Sequence, residues 1–263
     1  MRPTPQPLTL RSVTLGDGRP AVCVPLVERT TEALASSAAA LALLPRGVVD
    51  VAELRLDHLT AVADLDRVRE AVRAVRSELA PGVPLIATFR TKQEGGERDI
   101  TPDAYGELIA VVAGLGPVEG ADAVDVEMYT QPDVRERAVD AAHAASLAVV
   151  MSSHDFTATP SRAEIVSRLV EQQEHGADVV KLAAMPQSAA DVLTVLAATE
   201  EFRSGPGLVP AITMSMGPLG VLSRLAGETV GSCLTFGTVG AASAPGQVDA
   251  RALGAALDLL HGA

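Results

Sequence analysis

Lys181 interrupts the apolar run DVVKLAAM. Apolar neighbours and nearby arginines in such a setting would disfavour an ammonium ion and lower its pKa from about 10.4 toward neutrality. A neutral amine in a pocket is a nucleophile that condenses with a ketone. The protonated imine so formed draws electrons from the adjacent carbon and acidifies its C–H bond. From the residue alone, a salt-bridge partner or a phosphate ligand fits the same lysine. His154 stands near the end of SSHDF, where an imidazole with an unperturbed pKa of about 6.5 serves first as base and then as acid near neutral pH. A structural histidine is the plainer alternative. His58, His143, His175 and His261 fall in helical or flanking contexts and read as surface residues.

Further polar side chains interrupt apolar runs with period two. Glu53, Arg55 and Asp57 share one face of VVDVAELRL while Leu54 and Leu56 take the other. Thr88 and Arg90 oppose Ala87 and Phe89, Asp125 and Glu127 oppose Val124 and Val126, and Ser152 shares its parity with His154. Strands buried on both faces should be nearly unbroken apolar runs, so each exception needs a reason. A set of internal ion pairs is one reading; a charged pocket for an anionic small molecule is the other. In FRTKQEGGERD, Arg90 and Glu94 flank a turn whose Gly95 and Gly96 permit an unusual or closely packed backbone, while Lys92 reads as solvated. MGPLGVLSR carries Ser223 and Arg224, and VGAASAPGQ makes a loop bearing Ser243 and Gln247. A guanidinium with a hydroxyl and an amide suits a polyhydroxylated acid, although an ordinary surface helix and turn would use the same residues.

The elements that must position these groups follow from the patterning. Strands are expected at 21–27, 48–56, 84–90, 123–128, 147–154, 177–185, 208–215 and 230–237. Helices are expected near 31–44, 61–79, 102–114, 132–146, 161–175, 187–201, 217–226 and 247–261. Thr101-Pro102 and Thr159-Pro160-Ser161 supply helix-start signals. Repeated strand–helix units of this kind predict an α/β fold, a closed eight-stranded parallel β/α (TIM) barrel, with an open doubly wound sheet as the alternative. In such barrels the carboxyl ends of the strands carry the site, and the polar residues fall toward those ends. Residues 1–20 are expected to form a short hairpin, turning at Gly16-Asp17-Gly18 and capping one barrel end. The whole chain, 1–263, reads as a single domain.

Composition narrows the partners. Of 263 residues 48% are hydrophobic and 21% charged, enough to bury a sizeable core. No apolar run approaches the roughly 20 residues that span a bilayer, and the start lacks the basic-then-apolar order of a secretory signal, so no membrane association and a cytoplasmic location are expected. The net charge of −12 argues against nucleic acid. Cys23 and Cys233, with no CxxC or HExxH spacing, support neither a disulfide framework nor a structural zinc site and read as buried strand thiols.

ELRLD, TFRTKQEGG, SSHDF, VVKLAAMP, MGPLGVLSR and FGTVGAASAPGQ, taken in order across nearly the whole chain, resemble the type I 3-dehydroquinate dehydratases. The resemblance implies a shikimate-pathway lyase that converts 3-dehydroquinate to 3-dehydroshikimate through a covalent imine, with no metal or other cofactor. It implies Lys181 as the imine lysine, His154 as the group that removes the C2 proton and helps the C1 hydroxyl leave, and Glu94 as the acid that positions and polarises His154. Glu53, Arg55 and Arg90 would grip substrate hydroxyls and line the pocket. Arg224, Ser243 and Gln247 would contact the carboxylate and hydroxyls, the last two from a loop that closes over the mouth. It also implies a homodimer. Two other readings stay open: a barrel aldolase that uses an imine on a sugar phosphate, and a catalytically silent barrel that binds a carboxylate metabolite.

Overall fold

The structure, a computed structural model, describes residues 5–240 and 246–262. An antiparallel hairpin, β1 (Leu8–Leu10) and β2 (Val13–Leu15), precedes nine parallel strands. These are β3 (Ala21–Leu26), β4 (Val51–Arg55), β5 (Leu85–Thr88), β6 (Ala123–Glu127), β7 (Ala148–Asp155), β8 (Val179–Ala184), β9 (Ala211–Ser215), β10 (Leu234–Thr238) and β11 (Val248–Asp249). Helices lie between them: α1 (Thr31–Ala42), α2 (Leu65–Glu78), α3 (Pro102–Ala113), α4 (Gly116–Glu119), α5 (Pro132–Ala144), α6 (Arg162–Glu174), α7 (Ala189–Ser204), α8 (Val221–Leu225), α9 (Gly227–Val230) and α10 (Ala250–His261). Thr101 and Ser161 cap α3 and α6 by accepting from Ala104 N and Glu164 N, whereas Thr159 donates to the Met185 carbonyl instead.

The sheet runs β11, β10, β3, β4, β5, β6, β7, β8, β9 and curls. The expected closed ring of eight strands is corrected to an open order of nine, because β9 and β10 share no continuous ladder. Their edges meet at one bridge, Ala211 with Ser232, and at the 2.8 Å hydrogen bond from Cys233 N to Ala211 O. At the next position the Ser232 hydroxyl, rather than a main-chain carbonyl, accepts from Thr213 N at 3.0 Å. A side chain occupying the seam explains the interruption.

Alternation sorts the side chains between two interiors. Those facing outward, including Val24, Leu54, Ala87, Val124, Val149 and Val180, pack under the helices. Those facing into the curl change character along each strand. Near the amino ends they are apolar, including Cys23, Val51, Ile86, Ala123, Val150 and Val179. Toward the carboxyl ends the same face carries Glu53, Thr88, Asp125, Ser152 and Lys181, all buried. The hairpin seals the apolar end with Leu10, Val13 and Leu15. Both cysteines are free and buried; Cys23 is in β3 and Cys233 immediately precedes β10. Among the described residues no helix is long and apolar enough to cross a membrane.

The hairpin turns at Arg11 and Ser12, not at Gly16-Asp17-Gly18. Arg11 takes a left-handed φ of 51°, a strained conformation for a side-chain-bearing residue. Its guanidinium is anchored by Asp122 Oδ1 at 2.7 Å and by the Pro81 and Pro117 carbonyls. Asp122 is buried, accepts from Leu85 N at 2.8 Å and lies 3.6 Å from Arg76. Asp122→Ala is therefore expected to lower unfolding free energy by about 2–4 kcal/mol, since it strands a buried amide and guanidinium. Urea denaturation checks this, and an unchanged midpoint would contradict the anchoring role.

Candidate active site

Five consecutive strands deliver the charged residues to one place. Lys181 projects from the third position of β8, and its Nζ donates to Asp125 Oδ2 at 3.0 Å. Glu53 Oε1 is 3.8 Å away, and the Phe236 ring centroid is 4.9 Å away. The amine thus sits between carboxylates and an aromatic face. The expected setting of apolar groups and arginines is only partly met.

Arg90, just beyond β5, organises the acids around that amine. Its NH1 donates to Glu127 Oε1 and Ser152 Oγ, each at 2.9 Å, and lies 3.4 Å from Glu94 Oε2. Its NH2 pairs with Asp125 Oδ2 at 2.7 Å. Ser152 donates to Asp125 Oδ1, completing the network. Burial opposes charge on Asp125, but Arg90 and Lys181 outweigh it and hold the carboxyl well below the usual range. Burial likewise works against the Arg90 cation, and Asp125, Glu127 and Glu94 more than compensate.

His154 ends this chain of contacts. Its Nδ1 is 2.9 Å from Glu94 Oε2, and its ring stacks with Phe156 at a centroid distance of 6.4 Å. Burial, then Arg90 and Lys181, push the imidazole well below its ordinary value. Glu94 moves the opposite way: burial raises it against the pull of Arg90, Glu127 and Asp125 add to the rise, and it reaches about 8. Burial thus favours the neutral form of each partner in this contact. With Glu94 ionised, the 2.9 Å contact is an Nδ1–H donated to its carboxylate, which leaves Nε2 as the free base. Gly95 makes the arrangement possible, since its φ is +83° and a Cβ there would strike the Phe156 ring. A Cβ on Gly96 would strike the Arg90 carbonyl.

A cavity opens over Lys181 and His154. Glu53, Arg55, Arg90, Glu94, Arg224 and Gln247 border it. Glu53 accepts from Thr88 Oγ1 at 2.9 Å. Arg55 is held by a forked contact to Asp57 at 2.8 and 2.7 Å, and Asp57 also accepts from Glu97 N at 3.1 Å. Arg224 in α8 is buried with NH1 3.6 Å from Met214 Sδ, and burial lowers it to about 10. Ser243 lies outside the described residues. Of the other histidines, His143 is exposed and pairs with Asp178, His261 is exposed and pairs with Glu228, and His175 contacts Arg135. His58 is half-buried beside Asp57, where the surface reading placed it outside. Lys92 is solvated as expected. Asp125, Glu127 and Ser152 were visible as polar strand residues without a role. Phe236, Met214 and Met216, which also border the cavity, look like ordinary core in the sequence. Among the described residues no group of three or more His, Cys, Asp or Glu side chains is placed to hold a metal ion.

A curled parallel sheet with a buried lysine beside a histidine–carboxylate pair defines an α/β enzyme equipped for chemistry on a carbonyl compound. Residues 22–263 match the family model for type I 3-dehydroquinase, and the chain belongs to that family. It is 45% identical over 252 residues to a 3-dehydroquinate dehydratase of Syntrophotalea carbinolica, spanning 96% of this chain and 97% of the relative. The enzyme of the same name from Listeria innocua is 44% identical over 254 residues, spanning 97% and 98%. A crystal structure of the type I enzyme from Clostridium difficile, described with covalently modified comenic acid, aligns with a TM-score of 0.93 at 39% identity and covers 98% of this chain and 99% of that one. Family membership sets aside the aldolase reading.

The raised Glu94 has a consequence for stability. Between the usual carboxyl value of 4.5 and about 8, the folded protein binds a proton that the unfolded chain has released. Stability contributed by this group is complete below that window and is lost as pH rises through it. Glu94→Gln is expected to match the wild type near pH 4 and exceed it by roughly 2–4 kcal/mol at pH 9. Urea denaturation across that range checks the trend; a variant that is weaker at pH 9 would contradict it.

Proposed function

We propose that the chain is a 3-dehydroquinate dehydratase acting by imine catalysis, and that Lys181, His154 and Glu94 carry the reaction. The observation that supports this most is that Lys181 and His154 border one cavity, with Glu94 2.9 Å from the imidazole Nδ1.

In this reading, the free-amine form of Lys181 attacks the substrate ketone, and the carbinolamine takes up a proton and loses water to give an iminium ion. His154 Nε2 removes the C2 proton, and the electron pair moves into the enamine, with the iminium nitrogen as the sink. Hydroxide is a poor leaving group. The imidazolium just formed donates its proton to the C1 hydroxyl, which departs as water while the enamine returns to an iminium. Water then hydrolyses the iminium, releasing 3-dehydroshikimate and the free amine. Glu94 takes the Nδ1 hydrogen bond throughout, keeping Nε2 toward the substrate. Arg224 binds the carboxylate, Glu53 and Arg55 the hydroxyls. Gln247, at the edge of the cavity, contacts the substrate, and the family resemblance assigns Ser243 the same role. Arg90, whose terminal nitrogens lie 2.7–2.9 Å from Asp125, Glu127 and Ser152, lines the pocket chiefly as the holder of its acids.

The same proposal takes residues 1–263 as one working unit. Its homodimeric state and cytoplasmic location follow from the family resemblance and the composition.

Borohydride added with 3-dehydroquinate should leave a reduced adduct on Lys181, read by peptide mass. Lys181→Ala should abolish turnover. His154→Ala should still form the trapped adduct while eliminating about 10²- to 10⁴-fold more slowly. Near-native turnover by His154→Ala would overturn the base assignment.

A further inference from the structure

On α6 the buried face is marked by Ile165, Leu169 and Gln172. The spacing is that of an apolar stripe, yet the last position holds an amide with no exposure at all. An amide in such a place is costly unless its hydrogen bonds are made. Gln172 makes three of them. Its Oε1 accepts from Lys181 N at 2.8 Å, and its Nε2 donates to Lys181 O at 3.0 Å and to Ser153 Oγ at 3.1 Å. Both amide hydrogens are thus committed. The orientation is also unambiguous, because a main-chain N–H can only donate and a main-chain carbonyl can only accept.

Gln172 therefore grips the main chain of the imine lysine on both sides of its Cα. Fixing that peptide geometry fixes the Cα–Cβ direction, and with it the path of the side chain toward Asp125. The third bond reaches β7 at Ser153, the residue before His154. On the inner face, the neighbouring Ser152 is tied to Arg90 and Asp125. At this point β7 is held from inside by the ion network and from outside by the amide.

We propose that Gln172 is a positioning residue for the reaction: its amide clamps the Lys181 main chain to β7 and so sets the spacing between the amine and the His154 imidazole. This rests on the imine reading above. The amide touches no reacting atom and acts through the two side chains that do. Small errors in such spacing have large effects on rate, because the reacting atoms must meet in a near-attack geometry.

The test compares full-length wild type, Gln172→Leu and Gln172→Glu, assayed with 3-dehydroquinate well below their melting temperatures. Gln172→Leu should lower kcat about tenfold or more while leaving KM within about twofold, since the cavity wall is unchanged. Gln172→Glu supplies the readout that a purely structural role would not move. Its protonated carboxyl can accept from Lys181 N and donate to Lys181 O as the amide does; its carboxylate can only accept. Its activity should fall as pH rises in a range where wild type does not. A folded Gln172→Leu with wild-type kcat, or with the loss confined to KM, would overturn the proposal. If Gln172→Leu does not fold, a Gln172→Glu pH profile superimposable on wild type overturns it instead. Failure of the imine reading is seen separately, as wild type that yields no borohydride adduct on Lys181.

Discussion

The site depends on one buried guanidinium. Arg90 gathers Asp125, Glu127 and Glu94 around itself, and Asp125 in turn holds Lys181. Four of these five charged groups come from or border the parallel strands β5, β6 and β8, and none could be taken into the interior alone. Burying an unpaired charge costs several kcal/mol. The network makes that burial tolerable, and it also separates the proton affinities of its members. Asp125, beside two cations, stays ionised, while Glu94, at the edge of the cluster, is pushed up to about 8 by burial first and then by the facing acids Glu127 and Asp125. The same physics that keeps one carboxylate as an anchor leaves the other able to share a proton with His154.

That separation explains why an enzyme would retain so expensive an interior. Elimination of water needs a base and then an acid at almost the same place. A histidine alone changes roles once it has taken a proton. In the proposed reaction its partner carboxyl would decide which ring nitrogen carries hydrogen, and therefore whether Nε2 offers the substrate a lone pair. Phe156 covers the pair from solvent only because Gly95 has no side chain to hold it off. The stability lost through Glu94 at high pH is the counterpart of that chemical readiness.

Much of this was legible in the chain because strands report their faces through period-two alternation. Glu53, Asp125, Ser152 and Lys181 interrupt apolar runs, and the structure turns all four inward toward one end of the curl. The strand and helix order also followed from the patterning. The seam between β9 and β10 did not, since its interruption depends on one hydroxyl, Ser232, filling a place where a carbonyl was expected. The hairpin turn was misplaced because Gly16 and Gly18 are the stronger local signal, whereas Arg11 is held in its conformation by Asp122, distant in sequence. Phe236, Met214 and Gln172 carried no signal for a related reason: apolar residues in strands and a glutamine in a helix are ordinary until their neighbours are known.

Imine catalysis requires that the substrate's carbonyl carbon exchange its oxygen for the Lys181 nitrogen and later regain an oxygen. The carbonyl oxygen must then leave as water and be replaced from solvent. With 3-dehydroquinate carrying oxygen-18 at C3, the account predicts 3-dehydroshikimate whose carbonyl oxygen comes from the medium, at a rate well above exchange without enzyme. Product that keeps the label beyond that background exchange would contradict it.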